Sequence, residues 1–445
     1  MGFQMIQAFS TFGKVFQRTF VTAKMNPRSP AQLRLLPSSS CFFDEPVQVK
    51  VNGLSPQQKV ELRCKVTDDK GVVYNSSGTY LADHNGEVDV SSQPSLAGSF
   101  TGIEPMGLFW SLKPDQQHSK LTKRDVVSPI QFLFEVVSGH GEVLAQEINT
   151  RRFMADGVRR IQVKDGRIRG CLFLPPGPGP FPTVIDIYTL GGGISEVRAS
   201  LLANKGYVVL ALAYYGYQDL PKAVSKLDLE YFEEAVTFLQ KLPEVKGPGI
   251  GVLSISKSGE LSLAMASFLS GISAVACINS CSANVLFPLH YKDMVIPPLP
   301  FDLKKTFITE SGILDVRDTL ADAAAEENLA CVIPVERTNC NILFLVSEDD
   351  RNWNSLYHAQ LATKRLRDHG KANYEIITYP KAGHFLEVPY MPHCPSGFHG
   401  AVGKVVNFGG DLKTHAEAQI DAWKKIQEFF KKNLDCVSDG YRSML

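Results

Sequence analysis

The pattern of apolar and polar residues changes near residue 156. Between residues 44 and 155, apolar and polar residues alternate in short runs, and turn sequences such as Asn52-Gly53 separate the runs. Strict alternation is typical of strands with one buried face. The strands predicted in this way are 47–51, 60–66, 72–74, 130–136 and 143–148. We therefore predict an antiparallel β-sandwich domain over residues 44–155.

From residue 156 to residue 435, strand patterns and helix patterns alternate. Residues 207–213 are apolar throughout, as in a central parallel strand that is covered on both faces. The predicted strands are 168–174, 183–188, 207–213, 249–255, 274–278, 342–346 and 374–379. The predicted helices are 196–202, 227–242, 257–270, 355–368 and 416–432. This alternation predicts an α/β domain with a parallel sheet and helices on its faces.

Residues 1–43 differ from the rest of the chain in charge, because they contain basic residues and no acidic residue. On a helix, which turns about 100° per residue, one narrow face would carry Met5, Phe9, Phe12, Phe16 and Phe20, opposite Lys14 and Arg18. An amphipathic, acid-free helix is typical of a mitochondrial transit segment. We therefore predict that residues 1–43 are a transit segment and leader, cut before about residue 40, and that the protein works in the mitochondrial matrix.

Two alternatives for the location stay open. Residues 1–43 could be a frayed tail with chance phenylalanines, and a chain started at Met25 would lack the signal and remain in the cytosol. At the other end, the tail 436–445 finishes in Ser443-Met444-Leu445, which weakly resembles a peroxisomal signal because it lacks the basic middle residue.

Composition excludes several functions. The 46 Lys and Arg residues balance the 46 Asp and Glu residues, so no net charge favours nucleic acid as a partner. No apolar run reaches the roughly 18 residues of a membrane span, so we expect no stable membrane insertion. The 9 cysteines are scattered without any C-x-x-C, which argues against both a disulfide framework and a zinc site. The oligomeric state is not predicted.

A strand that turns directly into a helix places Ser256 at the turn. Such an elbow presents a hydroxyl at the carboxyl edge of the sheet, with the next backbone N–H and the helix dipole directed at a developing oxyanion. The usual G-x-S-x-G motif has glycines on both sides. Here these positions are Ser254 and Ser258, and Gly259 follows one position later. From the motif alone, Ser256 is either a nucleophile or a structural serine.

A serine nucleophile needs a base, and the base needs an acid that fixes its tautomer. In this type of domain the order along the chain is serine, acid and histidine, each in a loop after a strand. The strand 342–346 leads into a loop with three candidate acids, Glu348, Asp349 and Asp350. We prefer Asp350 because it lies deepest in the loop.

The candidate base is His384, which follows the predicted strand 374–379. The preceding Gly383 would let the backbone present the imidazole. His369 fits less well, because it ends a predicted helix beside Gly370, a usual capping position. The alternative reading of His384 is an ordinary surface-loop histidine.

Oxyanion stabilisation needs backbone N–H groups from two places. We expect one from Lys257, directly after Ser256, and the others from Leu190 and Gly191 in the loop after strand 183–188. Glycines 191–193 permit close backbone approach. This loop has neither the Gly-Lys-Ser/Thr of a Walker motif nor G-x-G-x-x-G spacing, so we predict no nucleotide site and no cofactor.

Beyond these single motifs, long stretches of the chain resemble the type I acyl-CoA thioesterases and the bile acid-CoA:amino acid N-acyltransferases. The stretches that carry the resemblance are 44–47, 102–108, 123–126, 172–176, 198–203, 211–215, 230–235, 244–249, 257–269, 333–337, 349–353 and 416–423. The resemblance implies a β-sandwich followed by an α/β-hydrolase domain, with a triad of Ser256, Asp350 and His384. It also implies acyl-CoA as the substrate and hydrolysis to fatty acid and CoA.

The sequence departs from the family pattern at the elbow. The resemblance implies the motif Gly-x-Ser-x-Gly-Gly at the elbow of the thioesterases. This chain has Ser254 and Ser258 in place of the two nearer glycines, and their Cβ atoms would crowd a strained turn. One alternative function is N-acyl transfer to glycine or taurine. The resemblance implies a cysteine at the elbow of those acyltransferases, whereas the cysteine nearest to the elbow of this chain is Cys277. A second alternative is a catalytically weak protein that binds acyl-CoA. Thiol release from an acyl-CoA separates these alternatives.

Overall fold

The computed structural model describes residues 30–247 and 249–434. Its N-terminal part is built from ten strands and a one-turn helix, α1 (Gly107–Trp110). The strands are β1 (Gln32–Leu36), β2 (Ser40–Phe42), β3 (Gln48–Asn52), β4 (Lys59–Thr67), β5 (Val73–Leu81), β6 (Val88–Asp89), β7 (Ala97–Gly98), β8 (Lys113–Pro114), β9 (Ile130–Ser138) and β10 (Val143–Arg152). Alternate residues are buried, as in β4, where Val60, Leu62, Cys64 and Val66 face the core.

These strands form two sheets that share one core. One sheet has the order β1-β3-β6, and the other has the order β2-β10-β9-β4-β5-β7, with β8 beside β5. The pairings are antiparallel except that of β2 with β10. The predicted sandwich is confirmed, with this parallel pair and helix α1 as differences.

The folded sandwich begins before the predicted boundary at residue 44. β1 pairs with β3 along its full length, and its Leu33 and Leu35 are buried. With only two inward positions, β1 is too short for its alternation to stand out beside a basic segment. The predicted leader therefore overlaps the sandwich from Gln32 onward. The predicted helical face before residue 21 and the tail 436–445 lie outside the described residues.

The second domain is built on an eight-stranded sheet with the order β11-β12-β14-β13-β16-β17-β22-β23. These strands are β11 (Arg159–Asp165), β12 (Ile168–Leu174), β13 (Thr183–Ile187), β14 (Val208–Ala213), β16 (Ile250–Ile255), β17 (Ile272–Ile278), β22 (Asn341–Ser347) and β23 (Tyr374–Tyr379). β12 runs against both neighbours, and the other pairs are parallel. This arrangement is that of an α/β-hydrolase domain, so the predicted fold class is confirmed.

The predicted parallel sheet has one exception, β12, which runs antiparallel to both neighbours. β11 and β12 are joined by the two residues Gly166 and Arg167, and a connection this short makes an antiparallel hairpin. β11 itself is missing from the prediction. Of its seven residues only Val163 is buried, so it lacks the apolar pattern of a strand.

Five further helices cover the sheet: α2 (Val197–Ala203), α3 (Leu229–Gln240), α4 (Lys257–Phe268), α5 (Ser355–Asp368) and α6 (Leu412–Leu434). The predicted helix 355–368 matches α5, whereas α3 starts later than predicted because Leu227 and Asp228 pair as a short strand. The short strands are β15 (Leu227–Asp228), β18 (Leu289–Tyr291), β19 (Met294–Ile296), β20 (Phe307–Ile308), β21 (Leu314–Asp315), β24 (Ser396–His399) and β25 (Lys404–Asn407). β20, β21, β24 and β25 form a small separate sheet.

The two domains are joined by buried polar contacts. Trp423 of α6 donates its indole N–H to Asp44 at 2.9 Å, and Lys205 forms an ion pair with the same carboxylate at 3.3 Å. Farther along the interface, the ring Nδ1 of His118 lies 2.8 Å from the hydroxyl of Ser396. These contacts hold the sandwich domain against α6, the turn after α2 and strand β24 of the catalytic domain. Across residues 30–247 and 249–434, no helix has both the length and the apolar character needed to cross a bilayer.

Candidate active site

The elbow between β16 and α4 holds Ser256 in a backbone conformation that residues other than glycine rarely adopt. Its φ is 61° and its ψ is −128°, and a non-glycine residue with positive φ is strained. The surrounding structure maintains this conformation, because the N–H of Ser256 donates to Ile278 O at 2.9 Å and the N–H of Gly259 donates to Ser256 O at 2.7 Å. The elbow thus presents the hydroxyl at the end of α4.

The structure brings Ser256, His384 and Asp350 together in one hydrogen-bonded series. Ser256 Oγ lies 2.8 Å from His384 Nε2, and His384 Nδ1 lies 2.8 Å from Asp350 Oδ2. The exposed fractions are 5% for Ser256, 1% for His384 and 1% for Asp350, so the series is shielded from water. With Nδ1 donating to the carboxylate, Nε2 is free to accept the proton of the hydroxyl.

Among the three candidate acids, Asp350 is the one that contacts His384. Its Oδ1 accepts from the N–H of Asn352 at 2.9 Å, and its Oδ2 also accepts from the hydroxyl of Ser355. Asp349 turns away, accepting from Arg351 Nε at 2.7 Å and from the N–H of Gly410 at 2.9 Å. Asp350 therefore faces the imidazole, whereas Asp349 holds a neighbouring loop.

The two serines that replace elbow glycines are hydrogen-bonded rather than crowded. The Ser258 hydroxyl donates to Ile187 O at 2.7 Å and accepts from the N–H of Ile255 at 2.9 Å, and the Ser254 hydroxyl lies 2.7 Å from that of Ser262. Glycine is needed one position later. A Cβ on Gly259 would lie 2.2 Å from the Cβ of Ser280.

Asn279, just after β17, connects the loops that carry the acid and the base. Its amide donates to Ser347 Oγ at 3.0 Å and to His384 O at 2.7 Å, and it accepts from the N–H of Ser347 at 2.7 Å. The indole of Trp353 donates to Asn279 O at 3.0 Å and meets the His384 ring edge-on at 5.5 Å. Sequence reasoning missed these residues because an asparagine that bonds distant backbone leaves no local pattern.

His415, on α6, holds the backbone on both sides of His384. Its Nδ1 accepts from the N–H of Gly383 at 3.0 Å, and its Nε2 donates to Phe385 O at 3.1 Å. Burial, with His393 nearby, lowers the pKa of His415 to about 3. His415 is therefore neutral at pH 7, which leaves one ring nitrogen to accept and the other to donate.

We expect His415→Phe to lower kcat by up to about 10²-fold with little change in KM, because a shifted catalytic loop misplaces the base without touching the substrate. His415→Asn can retain the acceptor for Gly383 and should lose less. Steady-state kinetics on acyl-CoA check this, with the unfolding temperature measured in parallel. Equal losses in both variants, or a change confined to KM, would show that His415 does not position the loop.

The loop expected to complete the oxyanion site follows β13. The N–H of Lys257 is the first of α4 and has no acceptor within the helix. In the loop, the N–H of Gly193 donates to the carbonyl oxygen of Tyr215 at 2.9 Å, which holds the loop next to the end of β14. Leu190 and Gly191 stay the candidate donors beside Lys257.

Lys120 connects the glycine loop with the histidine loop from the side of the sandwich domain. Its ammonium donates to the hydroxyl of Tyr188 and to the carboxylate of Glu387, and Tyr188 also donates to Glu387. The ammonium lies 4.7 Å from the ring centre of Phe385, the residue after His384. Although burial alone would lower it, the Glu387 carboxylate raises the pKa of Lys120, which stays charged. The sandwich domain therefore contributes to the architecture of the site.

Comparisons with known proteins agree with this architecture. The family described as "Acyl-CoA thioester hydrolase/BAAT N-terminal region" matches residues 44–165, and "BAAT / Acyl-CoA thioester hydrolase C terminal" matches residues 227–436. The Rattus norvegicus protein "Acyl-coenzyme A thioesterase 2, mitochondrial" is 50% identical over 411 residues, which cover 92% of this chain and 90% of that protein. This chain belongs to the acyl-CoA thioester hydrolase/BAAT family.

The names of the relatives in the acyl-CoA thioester hydrolase/BAAT family differ in whether they state a cellular compartment. "Acyl-coenzyme A thioesterase 1" of Homo sapiens is 48% identical over 91% of this chain and 97% of its own length, and its name states no compartment. Among solved structures, an acylaminoacyl peptidase of Pyrococcus horikoshii is 14% identical, with a TM-score of 0.42 over 89% of this chain and 61% of that one.

The side chain at the elbow of this chain is a serine. Cys277 does not supply a thiol in its place. It lies buried in β17, its Sγ donates to Leu343 O at 3.6 Å, and burial raises its pKa to about 12. A cysteine held in this way stays a thiol at neutral pH and is a poor nucleophile.

Proposed function

We propose that this protein hydrolyses acyl-CoA thioesters to fatty acid and CoA through an acyl-serine on Ser256. The observation that carries the proposal is the continuous hydrogen-bonded series from Ser256 through His384 to Asp350 at a strained elbow. Membership of the acyl-CoA thioester hydrolase/BAAT family, together with relatives named acyl-CoA thioesterases, supports acyl-CoA as the substrate.

The proposed reaction has two halves. In the first, Ser256 Oγ attacks the thioester carbonyl carbon while His384 Nε2 takes the hydroxyl proton. The C–S bond then breaks, and CoA leaves as the thiol with the proton from His384. In the second half, water gives a proton to His384 and attacks the ester on Ser256. The C–O bond breaks, the fatty acid leaves, and the proton returns to Ser256.

The remaining groups of the site stabilise the charges that develop during the reaction. Asp350 stays ionised, fixes the tautomer of His384 and stabilises the imidazolium that forms transiently. The N–H of Lys257, with those of Leu190 and Gly191, would stabilise the negative oxygen of each tetrahedral intermediate. Because these donors are fixed before the reaction begins, little reorganisation accompanies the developing charge.

The competing function is transfer of the acyl group to glycine or taurine. An acyl-serine is an oxygen ester, which an amine attacks less readily than the thioester of an acyl-cysteine. The full chain incubated with palmitoyl-CoA should therefore release thiol and palmitate at the same rate with and without taurine. Formation of N-palmitoyltaurine would contradict hydrolysis as the main reaction. Binding without thiol release would instead favour a non-catalytic acyl-CoA protein.

We further propose that the full-length chain acts in the mitochondrial matrix. The basic, acid-free N-terminal segment supports this, since each positive charge gains about 2.3 kcal/mol per 100 mV of a potential that is negative inside. Some relatives are named mitochondrial and others are not. Since β1 begins at Gln32 and pairs with β3, we expect the mature chain to start before residue 32.

We expect residues 1–45 fused to a fluorescent protein to enter mitochondria, and the same fusion started at Met25 to stay outside. The shorter fusion lacks Lys14, Arg18 and Lys24 together with the predicted apolar face. Imaging against a mitochondrial marker, with sequencing of the processed N-terminus, measures both points. A diffuse cytosolic signal from the longer fusion would refute the proposal. Peroxisomal puncta from a fusion ending in Ser443-Met444-Leu445 would favour that tail as the address.

A further inference from the structure

A cavity of about 390 Å³ opens between the two domains, beside the glycine loop. The catalytic domain lines it with Thr189, Gly191–Gly193 and Tyr214, and the sandwich domain lines it with Lys70 and residues 120–124. The glycine loop follows directly after Ile187, whose carbonyl accepts from Ser258 of the elbow. One wall of the cavity therefore belongs to the same loop that flanks the nucleophile.

The sandwich domain forms one wall of the cavity with Lys70 and residues 120–124, and two aspartates hold this wall in place. Asp68 accepts from the N–H groups of Lys70 at 2.8 Å and Thr122 at 3.0 Å, and Asp69 accepts from the N–H of Arg124 at 2.7 Å. These bonds tie the turn before β5 to the 120–124 segment. The two carboxylates are therefore hydrogen-bonded to backbone N–H groups. The side chains of Lys70 and Arg124 remain exposed on a surface whose backbone is held in place.

The charges along this wall are not equally available. Lys120 is paired with Glu387, and Lys123 is paired with Asp69 at 3.2 Å, with only 3% of its side chain exposed. Lys70 and Arg124 form no ion pair with any side chain in residues 30–247 and 249–434. They are the two cations of the cavity that remain free to meet an anion.

The glycine wall leaves room for a slender chain. A Cβ placed on Gly191 would meet no atom within 4 Å, so open space lies over this residue. The thioester end of CoA is an uncharged pantetheine arm, and its far end carries a diphosphate and a 3′-phosphate. An acyl-CoA bound with its carbonyl at Ser256 needs a narrow neutral passage close to the nucleophile and positive charge farther out. The cavity has open space over Gly191 and carries the unpaired charges of Lys70 and Arg124 on its sandwich side.

We propose that the cavity binds the CoA part of the substrate, with Lys70 and Arg124 of the sandwich domain holding its phosphates. The inference rests on the proposed hydrolysis of acyl-CoA and assigns the sandwich domain a direct part in binding. A guanidinium meets phosphate oxygens through two parallel hydrogen bonds, and a lysine adds a point charge. Exposed charges of this kind also speed the approach of an anionic substrate, an effect that salt screens.

The test is Lys70→Glu/Arg124→Glu, assayed with palmitoyl-CoA and with palmitoyl-pantetheine, which has the same thioester and no phosphates. We expect kcat/KM for palmitoyl-CoA to fall roughly tenfold or more, and kcat/KM for palmitoyl-pantetheine to be unchanged. The control Lys59→Glu/Lys431→Glu makes the same change in net charge at exposed residues outside the cavity and should leave both substrates unaffected. Equal losses for both substrates, or equal losses in the control, would overturn the assignment.

Binding of free CoA to Ser256→Ala, measured by calorimetry, separates this inference from the proposed function. If Lys70→Glu/Arg124→Glu weakens CoA binding in that background while the wild type shows no thioester hydrolysis, the CoA site stands and the proposed reaction fails. If hydrolysis is observed and CoA binds the charge-reversed variant as tightly as the parent, the reaction stands and the CoA site is refuted.

Discussion

Asp350→Asn should lower kcat by about 10⁴-fold, because the amide cannot replace the carboxylate that fixes the imidazole tautomer. Asp350 is 1% exposed, and its Oδ2 faces both His384 Nδ1 and the Ser355 hydroxyl, which are two donors. An amide turned to accept from one of them brings no negative charge, so the imidazolium formed during the reaction is no longer stabilised. Thiol release from palmitoyl-CoA measures the loss.

Asp349→Asn is the matched control for this prediction. Asp349 makes an ion pair with Arg351, whose side chain is 40% exposed, and such surface pairs contribute little. We expect this variant to keep most of the activity and to differ from wild type mainly in the stability of the loop. If Asp349→Asn is the inactive variant and Asp350→Asn the active one, the assignment of the acid is wrong by one residue.

Ser256→Ala should reduce thioester hydrolysis by about 10³-fold or more, the scale on which removal of a triad nucleophile acts. The fold should persist, since within residues 30–247 and 249–434 the hydroxyl is hydrogen-bonded only to His384, and the strained backbone is held by Ile278 and Gly259. Thiol release measures activity, and thermal unfolding followed by circular dichroism checks the fold.

Ser254→Ala is the control at the elbow. The Ser254 hydroxyl is hydrogen-bonded to that of Ser262 on α4, so its loss should affect packing rather than chemistry. We expect more than a tenth of the wild-type rate to remain. The opposite pattern, an active Ser256→Ala and an inactive Ser254→Ala, would move the nucleophile to a different serine.

The regular elements of the catalytic domain could be predicted because their residues carry a clear period. α5 and β23 start and end at the predicted residues. The failures have physical causes. β1 has two inward residues and β11 has one, so neither shows the alternation of a longer strand. The segment between β17 and β22 is organised by short pairings with distant residues, such as β15 with β18, and these leave no local period.

The candidate triad could be predicted because its members follow strand ends in a fixed order. The choice between Asp349 and Asp350 depends on which carboxylate the loop turns inward, and both have the same local sequence context. Asn279, His415 and Lys120 support the site through contacts with residues far away in the chain, so the sequence gives no signal for them. The same is true of the cavity between the domains.

The most direct test of the account is to identify the residue that becomes acylated. The full chain mixed with palmitoyl-CoA and quenched in acid within the first turnover should carry one palmitoyl group. Trypsin cuts after Lys246 and Lys257, so the peptide 247–257 should hold the group, and fragmentation distinguishes Ser254 from Ser256. We predict the ester on Ser256 in wild type and no ester in Ser256→Ala. Two results would contradict the acyl-serine mechanism. One is thiol release with the palmitoyl group on a residue other than Ser256. The other is thiol release with no acyl-enzyme detected in either wild type or the Asp350→Asn variant.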